Sequence, residues 1–136
     1  MSGCVLLQIQ KMIPTYLINL DRSKDRLETI NAELKKLTIP YTRIPAVDGN
    51  NLKDTAPAHF EVGDAIPICK RELTIGEIGC SMSHLKVYEK IVEAGHTYTL
   101  ILEDDVCLPP NTKRIIHELI EWNQPQAWDI VLLHHC

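Results

Sequence analysis

Three consecutive acids, Glu103-Asp104-Asp105, follow the apolar run Thr99-Leu100-Ile101-Leu102, and Val106 closes the segment. Carboxylates this close repel, and one is pushed toward protonation unless a cation neutralises them. An oxygen-ligated divalent ion is the natural cation, and such an ion can in turn hold a phosphate. Side chains alternate along a strand, so continued extended geometry would point Glu103 and Asp105 one way and Asp104 the other. The chemistry implied is metal-dependent and directed at a nucleotide. A strand end carrying a few solvated acids is the plain alternative.

Three further groups could join these acids. Asn19, Asp21, Arg22 and Arg26 follow the run Thr15–Leu20. An amide and a carboxylate there could hydrogen-bond a base or ribose, and an arginine could reach a phosphate. An ordinary polar strand-to-helix turn explains them without a ligand. Asp48, in Ala46-Val47-Asp48-Gly49, could hold a ribose hydroxyl or simply make a turn. The third group is Gly76-Glu77-Ile78-Gly79-Cys80-Ser81-Met82-Ser83-His84. Glycines in a helix cost roughly 1 kcal/mol each, so two of them imply close backbone approach to another element or to a ligand. Ser83 and His84 lie beside the expected Met82–Leu85 face, where they could contact substrate. Cys80 and His84 are four residues apart and could share a metal or form a thiol–imidazole pair. No third ligand or orienting acid is evident in the sequence, and both ideas are set aside.

The elements that must position these groups alternate. Thr15–Leu20 reads as a strand. Leu27, Ile30, Leu34 and Leu37 then mark a helix, with Ser23 as N-cap, Asp25 in its first turn and Pro40 as its stop. Tyr41–Val47 reads as a second strand, and residues 50 to 73 as a long loop. Thr74 and Glu77 form a capping box opening a helix whose apolar face is Ile75, Ile78, Met82, Leu85 and Val92, ended by Gly95. The acid-tipped strand follows. Pro109-Pro110-Asn111 opens another helix carrying Ile115, Ile116, Leu119, Ile120 and Trp122, and Trp128–Leu133 reads as a last strand. This order predicts an α/β fold with a mostly parallel sheet. Ligands of such sheets bind outside the carboxyl ends of the strands, where all four polar groups fall.

Composition narrows the partners. The formal net charge of -4 leaves no basic stripe for nucleic acid. No apolar run is long enough to span a bilayer, and Met1–Met12 lacks the basic start and long apolar core of a signal peptide. The expected location is therefore the cytoplasm, with at most peripheral contact at the inner membrane. Five irregularly spaced cysteines, without a Cys-x-x-Cys pair, read as free thiols in a reducing compartment.

Taken in order, Tyr16-Leu17-Ile18-Asn19-Leu20-Asp21-Arg22-Ser23 with Asp25-Arg26, Ala46-Val47-Asp48-Gly49, Gly76-Glu77-Ile78-Gly79-Cys80 with Ser83-His84, and Leu100–Val106 resemble glycosyltransferase family 25. That family includes lipooligosaccharide galactosyltransferases and collagen galactosyltransferases. The resemblance implies a GT-A-like nucleotide-sugar-binding fold and a UDP-sugar donor. It also implies transfer of a hexose, usually galactose, to a glycan or glycolipid acceptor such as lipooligosaccharide, with Mn²⁺ or Mg²⁺ as cofactor. By that carry-over Asp105 and Glu103 hold the metal. Asn19, Asp21, Arg22, Asp48, Ser83, His84, Glu103 and Asp104 surround the donor.

Residues 1–12 read as an N-terminal extension and 13–136 as the nucleotide-sugar-binding domain. The family's C-terminal acceptor part is absent, so the chain is expected to be truncated and no catalytic base is named. A homodimer would cover the last strand. Two rivals stand beside this reading. A sugar-phosphate nucleotidyltransferase would need a glycine-rich, basic phosphate loop after the first strand, which Asp21-Arg22-Ser23 is not. The other is a non-catalytic nucleotide-sugar-binding or interaction module.

Overall fold

The computed structural model describes residues 13–52, 73–123 and 128–133. The expectations for residues 1–12 and for most of the 50 to 73 loop lie outside the described residues. Contacts separate the chain into a unit spanning Ile13–Val106 and a second one that includes Cys107 onward.

The first unit is built on a three-stranded parallel sheet in the order β2-β1-β3. Its strands are β1 (Thr15–Asn19), β2 (Thr42–Pro45) and β3 (Leu100–Glu103), joined by helices α1 (Lys24–Lys36) and α2 (Ile75–Ala94). The α/β expectation with a parallel sheet holds. β1 is buried along its whole length, as a central strand covered on both faces must be. Tyr16 and Ile18 pack with Ile44 and with Val87 of α2 in one core cluster. Leu17 points to the opposite face and is fully buried, as are Ile30 and Leu34 of α1. Because β1 sends the chain to β2 on one side and has β3 on the other, the strand order reverses at the β1–β3 boundary. The crevice outside those two carboxyl ends is where open α/β sheets take ligands.

Both helices end in the same way. At α1, the Thr38 amide donates to Lys35 O and the Ile39 amide to Leu34 O. At α2, the Gly95 amide donates to Val92 O and the His96 amide to Ile91 O. This is the Schellman pattern, which needs a left-handed residue after the helix. Gly95 adopts it without steric cost at φ 65, and Thr38 adopts it at φ 51. The helix α1 therefore stops through Thr38, ahead of Pro40. Ser23 occupies the N-cap of α1 without a side-chain cap bond, whereas the Thr74–Glu77 capping box of α2 forms in both directions.

Two expectations are corrected. The buried residues of α2 are Ile78, Gly79, Ser83 and Val87, while Ile75, Leu85 and Val92 are exposed. Of the expected apolar face Ile78 is buried, and the rest of the packing runs through a glycine, a serine and Val87. A Cβ at Gly79 would stand 2.7 Å from Val47 O and 2.9 Å from the Gly49 nitrogen, so only glycine allows this approach. The Ser83 hydroxyl completes it by accepting from the Val47 amide at 2.8 Å.

The second correction concerns the later unit. Its helix α3 (Thr112–Trp122) forms as expected, but residues 128–133 do not form a strand. The Trp128 amide donates to Asn123 Oδ1 at 3.0 Å, and its carbonyl accepts from Asn123 Nδ2 at 3.3 Å. A side-chain amide thus takes the Trp128 backbone groups that a neighbouring strand would have used.

Candidate functional site

A cleft of about 210 Å³, open to solvent, lies at the carboxyl ends of β1 and β3. All of its lining comes from the Ile13–Val106 unit. Four of the expected groups contribute to it: Asn19 and Arg22 after β1, Asp48 after β2, Cys80 and Ser83 on α2, and all three acids at β3. The motif residues scattered along the chain therefore meet in space. Asp21 and His84 are not in its lining.

Asn19 organises one wall. It is 2% exposed, and both halves of its amide are engaged. Nδ2 donates to Asp104 Oδ2 at 2.6 Å and to Ser23 O at 3.0 Å, while Oδ1 accepts from Arg43 Nε at 2.9 Å. Arg43 also donates through one Nη to Asn19 O and to Asp21 Oδ1, the latter at 2.6 Å. An amide has two donors and one acceptor oxygen, so this set ties β1, β2, the start of α1 and the end of β3 together. Asn19 acts here as a positioning residue. Asp21 serves Arg43, with its side chain 78% exposed. Arg43 was missed by sequence reading, since an arginine in a short strand carries no sign of its partner.

The charges around the cleft are arranged in pairs. Arg22 is ion-paired with Asp48, whose Oδ1 also accepts from the backbone and side-chain nitrogens of Asn50. Arg26 reaches Asp104 at 3.3 Å and Asp105 at 3.9 Å. Strand geometry ends at Glu103, and Asp104-Asp105 form a turn, so the simple alternation expected along the acids does not apply. Asp104 folds back to Asn19 and Arg26 with its side chain only 10% exposed, while the Asp105 side chain remains 63% exposed. Glu103 stands between these states, its Oε1 at 3.0 Å from His84 Nε2.

The glycines and serine of α2 divide similarly. Gly79 is fixed by backbone packing, whereas a Cβ at Gly76 would meet only the Thr74 hydroxyl at 3.9 Å, leaving it free to line the cleft. The Ser83 hydroxyl is buried between the Val47 amide and Gly79 O, to which it donates at 2.7 Å. Its polar capacity goes to holding the loop after β2. His84 does find an orienting acid, Glu103, which the sequence did not reveal because it lies nineteen residues away on another element. Cys80 Sγ lies 4.0 Å from the same carboxylate. Burial, helped by the negative charges of Glu103 and Asp105, raises the Cys80 thiol above its ordinary pKa. Cys80 and Cys107 are free thiols among the described residues.

The carboxylates of Glu103 and Asp105 are hard oxygen donors facing one cleft, with Asp105 open and Glu103 half-exposed. They fit an Mg²⁺- or Mn²⁺-class ion. A parallel sheet flanked by helices, with a polar, charge-paired cleft at its strand-order reversal, is an α/β architecture consistent with a GT-A-like Rossmann-type domain.

Within that class the chain belongs to glycosyltransferase family 25, whose family model, described as "LPS biosynthesis protein", matches residues 12–135. It is 34% identical over 121 residues to a glycosyltransferase 25 family member of Aedes aegypti, covering 85% of this chain and 20% of the relative. It is 33% identical over 124 residues to the human inactive glycosyltransferase 25 family member 3, covering 87% of this chain and 21% of the relative. With mouse procollagen galactosyltransferase 2 it shares 34% identity over 110 residues, 78% of this chain and 18% of the relative. The chain thus spans about a fifth of the length of the curated relatives it matches.

Proposed function

We propose that the Ile13–Val106 unit binds the UDP-sugar donor of a hexosyltransferase, with galactose as the sugar and a hydroxyl of a lipooligosaccharide or other surface glycan as acceptor. The observation that carries this reading is the gathering of the Glu103 and Asp105 carboxylates with Arg22 and Arg26 around one cleft at the β1–β3 boundary. Asp105 and Glu103 would hold Mn²⁺ or Mg²⁺. When bound, such an ion neutralises the diphosphate and stabilises the departing UDP as a Lewis acid. Arg22 and Arg26 would turn from Asp48 and Asp104 toward the diphosphate oxygens, exchanging one anionic partner for another. Asp48, released, is placed to accept from a ribose hydroxyl. Asn19, Asp104 and Ser83 keep the walls in position.

The cleft volume suits part of a nucleotide sugar, and the remainder would lie across its open side. The acceptor site and the catalytic base are assigned to no residue here. No described helix is long and apolar enough to cross a membrane, and a cytoplasmic place with peripheral membrane contact belongs to the same proposal.

A non-catalytic nucleotide-sugar-binding or interaction module is the second reading. The arginines' engagement with the protein's own acids favours it, as does the likeness to a relative named inactive. Calorimetry with UDP and Mn²⁺ tests what the two readings share. Wild type should bind, and Asp105→Ala should weaken binding at least about tenfold, since a metal ligand is lost. Absence of binding, or equal binding by the variant, removes the proposed site. A UDP-galactose hydrolysis assay then separates an enzyme from a module.

A further inference from the structure

One set of ligating groups in this unit is unlike the oxygen donors of the proposed donor site. Cys80 and His84 lie one turn apart on α2, and β3 brings Glu103 against both. Cys80 Sγ, a ring nitrogen of His84 and a Glu103 oxygen all lie within 4.8 Å of one another. His84 Nε2 stands 3.0 Å from Glu103 Oε1, and the thiol stands 4.0 Å from the same oxygen. In tetrahedral zinc sites, bonds of 2.0–2.3 Å set the donors roughly 3.3–3.6 Å apart, so side-chain adjustments of about 1 Å close this cluster on an ion.

We propose that Cys80, His84 and Glu103 form a three-ligand site for a zinc-class divalent ion, with the fourth position facing the cleft. The donor types carry the choice of metal. Thiolate and imidazole favour Zn²⁺ over Mg²⁺ or Mn²⁺, whereas carboxylate oxygens alone favour the harder ions. Three protein ligands with one open position is the pattern of reactive rather than purely structural zinc sites. Cys80 and Glu103 both line the cleft, so the open position is reached from it. Binding displaces the Cys80 thiol proton, and affinity therefore rises with pH. Glu103 is common to this site and to the proposed donor metal site, and Asp105 belongs only to the latter. The inference stands without the donor reading.

Cobalt(II) titration of the full chain, followed by absorption spectroscopy, tests it. Wild type should develop a thiolate-to-cobalt charge-transfer band with intense tetrahedral ligand-field bands, and Zn²⁺ should abolish both. Cys80→Ser, shown folded by circular dichroism, should lose the charge-transfer band. Glu103→Gln should bind Co²⁺ at least about tenfold more weakly, the scale expected for disrupting a metal site. Asp105→Ala should keep the full spectrum even though it is expected to lose UDP–Mn²⁺ binding. No charge-transfer band in wild type overturns the inference. So does a band that survives Cys80→Ser, which would place the metal on another cysteine. Calorimetric failure of UDP–Mn²⁺ with an intact cobalt spectrum would overturn only the donor reading.

Discussion

The carboxyl ends of β1 and β3 are neighbours in the sheet and equally polar, yet they are organised in opposite ways. At β1, Asn19 is buried and every hydrogen-bonding group of its amide is taken by Asp104, Ser23 and Arg43. At β3, Asp105 is exposed, with Arg26 at 3.9 Å, and Glu103 stands half-open beside His84. Buried polar groups that are fully satisfied specify geometry, while unsatisfied charge must stay near water or meet a ligand. Asp104 shows the division within a single motif. Of the three acids, it alone joins the buried network, while Glu103 pairs with His84 and Asp105 stays at the surface of the cleft.

Substitutions should separate the two ends. The largest effect is expected from Asn19→Leu, which strands the Arg43 guanidinium side and Asp104 without their common partner. Urea unfolding should show a loss of about 3 kcal/mol, the scale of breaking buried hydrogen bonds to charged groups. A loss below about 1 kcal/mol would mean that the network is not structural. Ser83→Ala comes next. It leaves the Val47 amide without its acceptor and should cost roughly 1–2 kcal/mol in the same measurement. The smallest change should come from Asp105→Asn. An exposed carboxylate with one distant arginine contributes little, so its unfolding midpoint should move by less than the equivalent of about 0.5 kcal/mol. A large loss there would put Asp105 in the framework and erase the contrast between the strand ends.

The alternating order of strands and helices was readable because period-2 and period-3.6 patterns depend on neighbouring residues alone. Thr74 with Glu77 and the stop at Gly95 were readable for the same reason. The α2 face was not. Gly79 and Ser83 are poor signals of burial, and they became core positions only because the Val47–Gly49 backbone lies against them. The run Trp128–Leu133 had the composition of a strand, but strand formation needs a partner, and the Trp128 backbone pairs with the Asn123 side chain instead. The extension at residues 1–12 and the loop beyond Leu52 lie outside the described residues.

Among the site residues, sequence supplied the candidates and their approximate location at the strand ends. It supplied no measure of which polar atoms were already engaged. Asn19 and Ser83, read as donor contacts, line the cleft and also hold the fold, while the partners of Arg43 and the approach of Glu103 to the Cys80–His84 pair were invisible. A hydrogen bond between residues many positions apart leaves no period in the chain. Local order alone determined a parallel α/β sheet with acids at the tip of one strand and glycines at the start of a helix. Tertiary structure decided which acid was buried, which glycine was packed and which cysteine met a histidine and a carboxylate. Those outcomes depend on distances between separate elements, and only packing sets them.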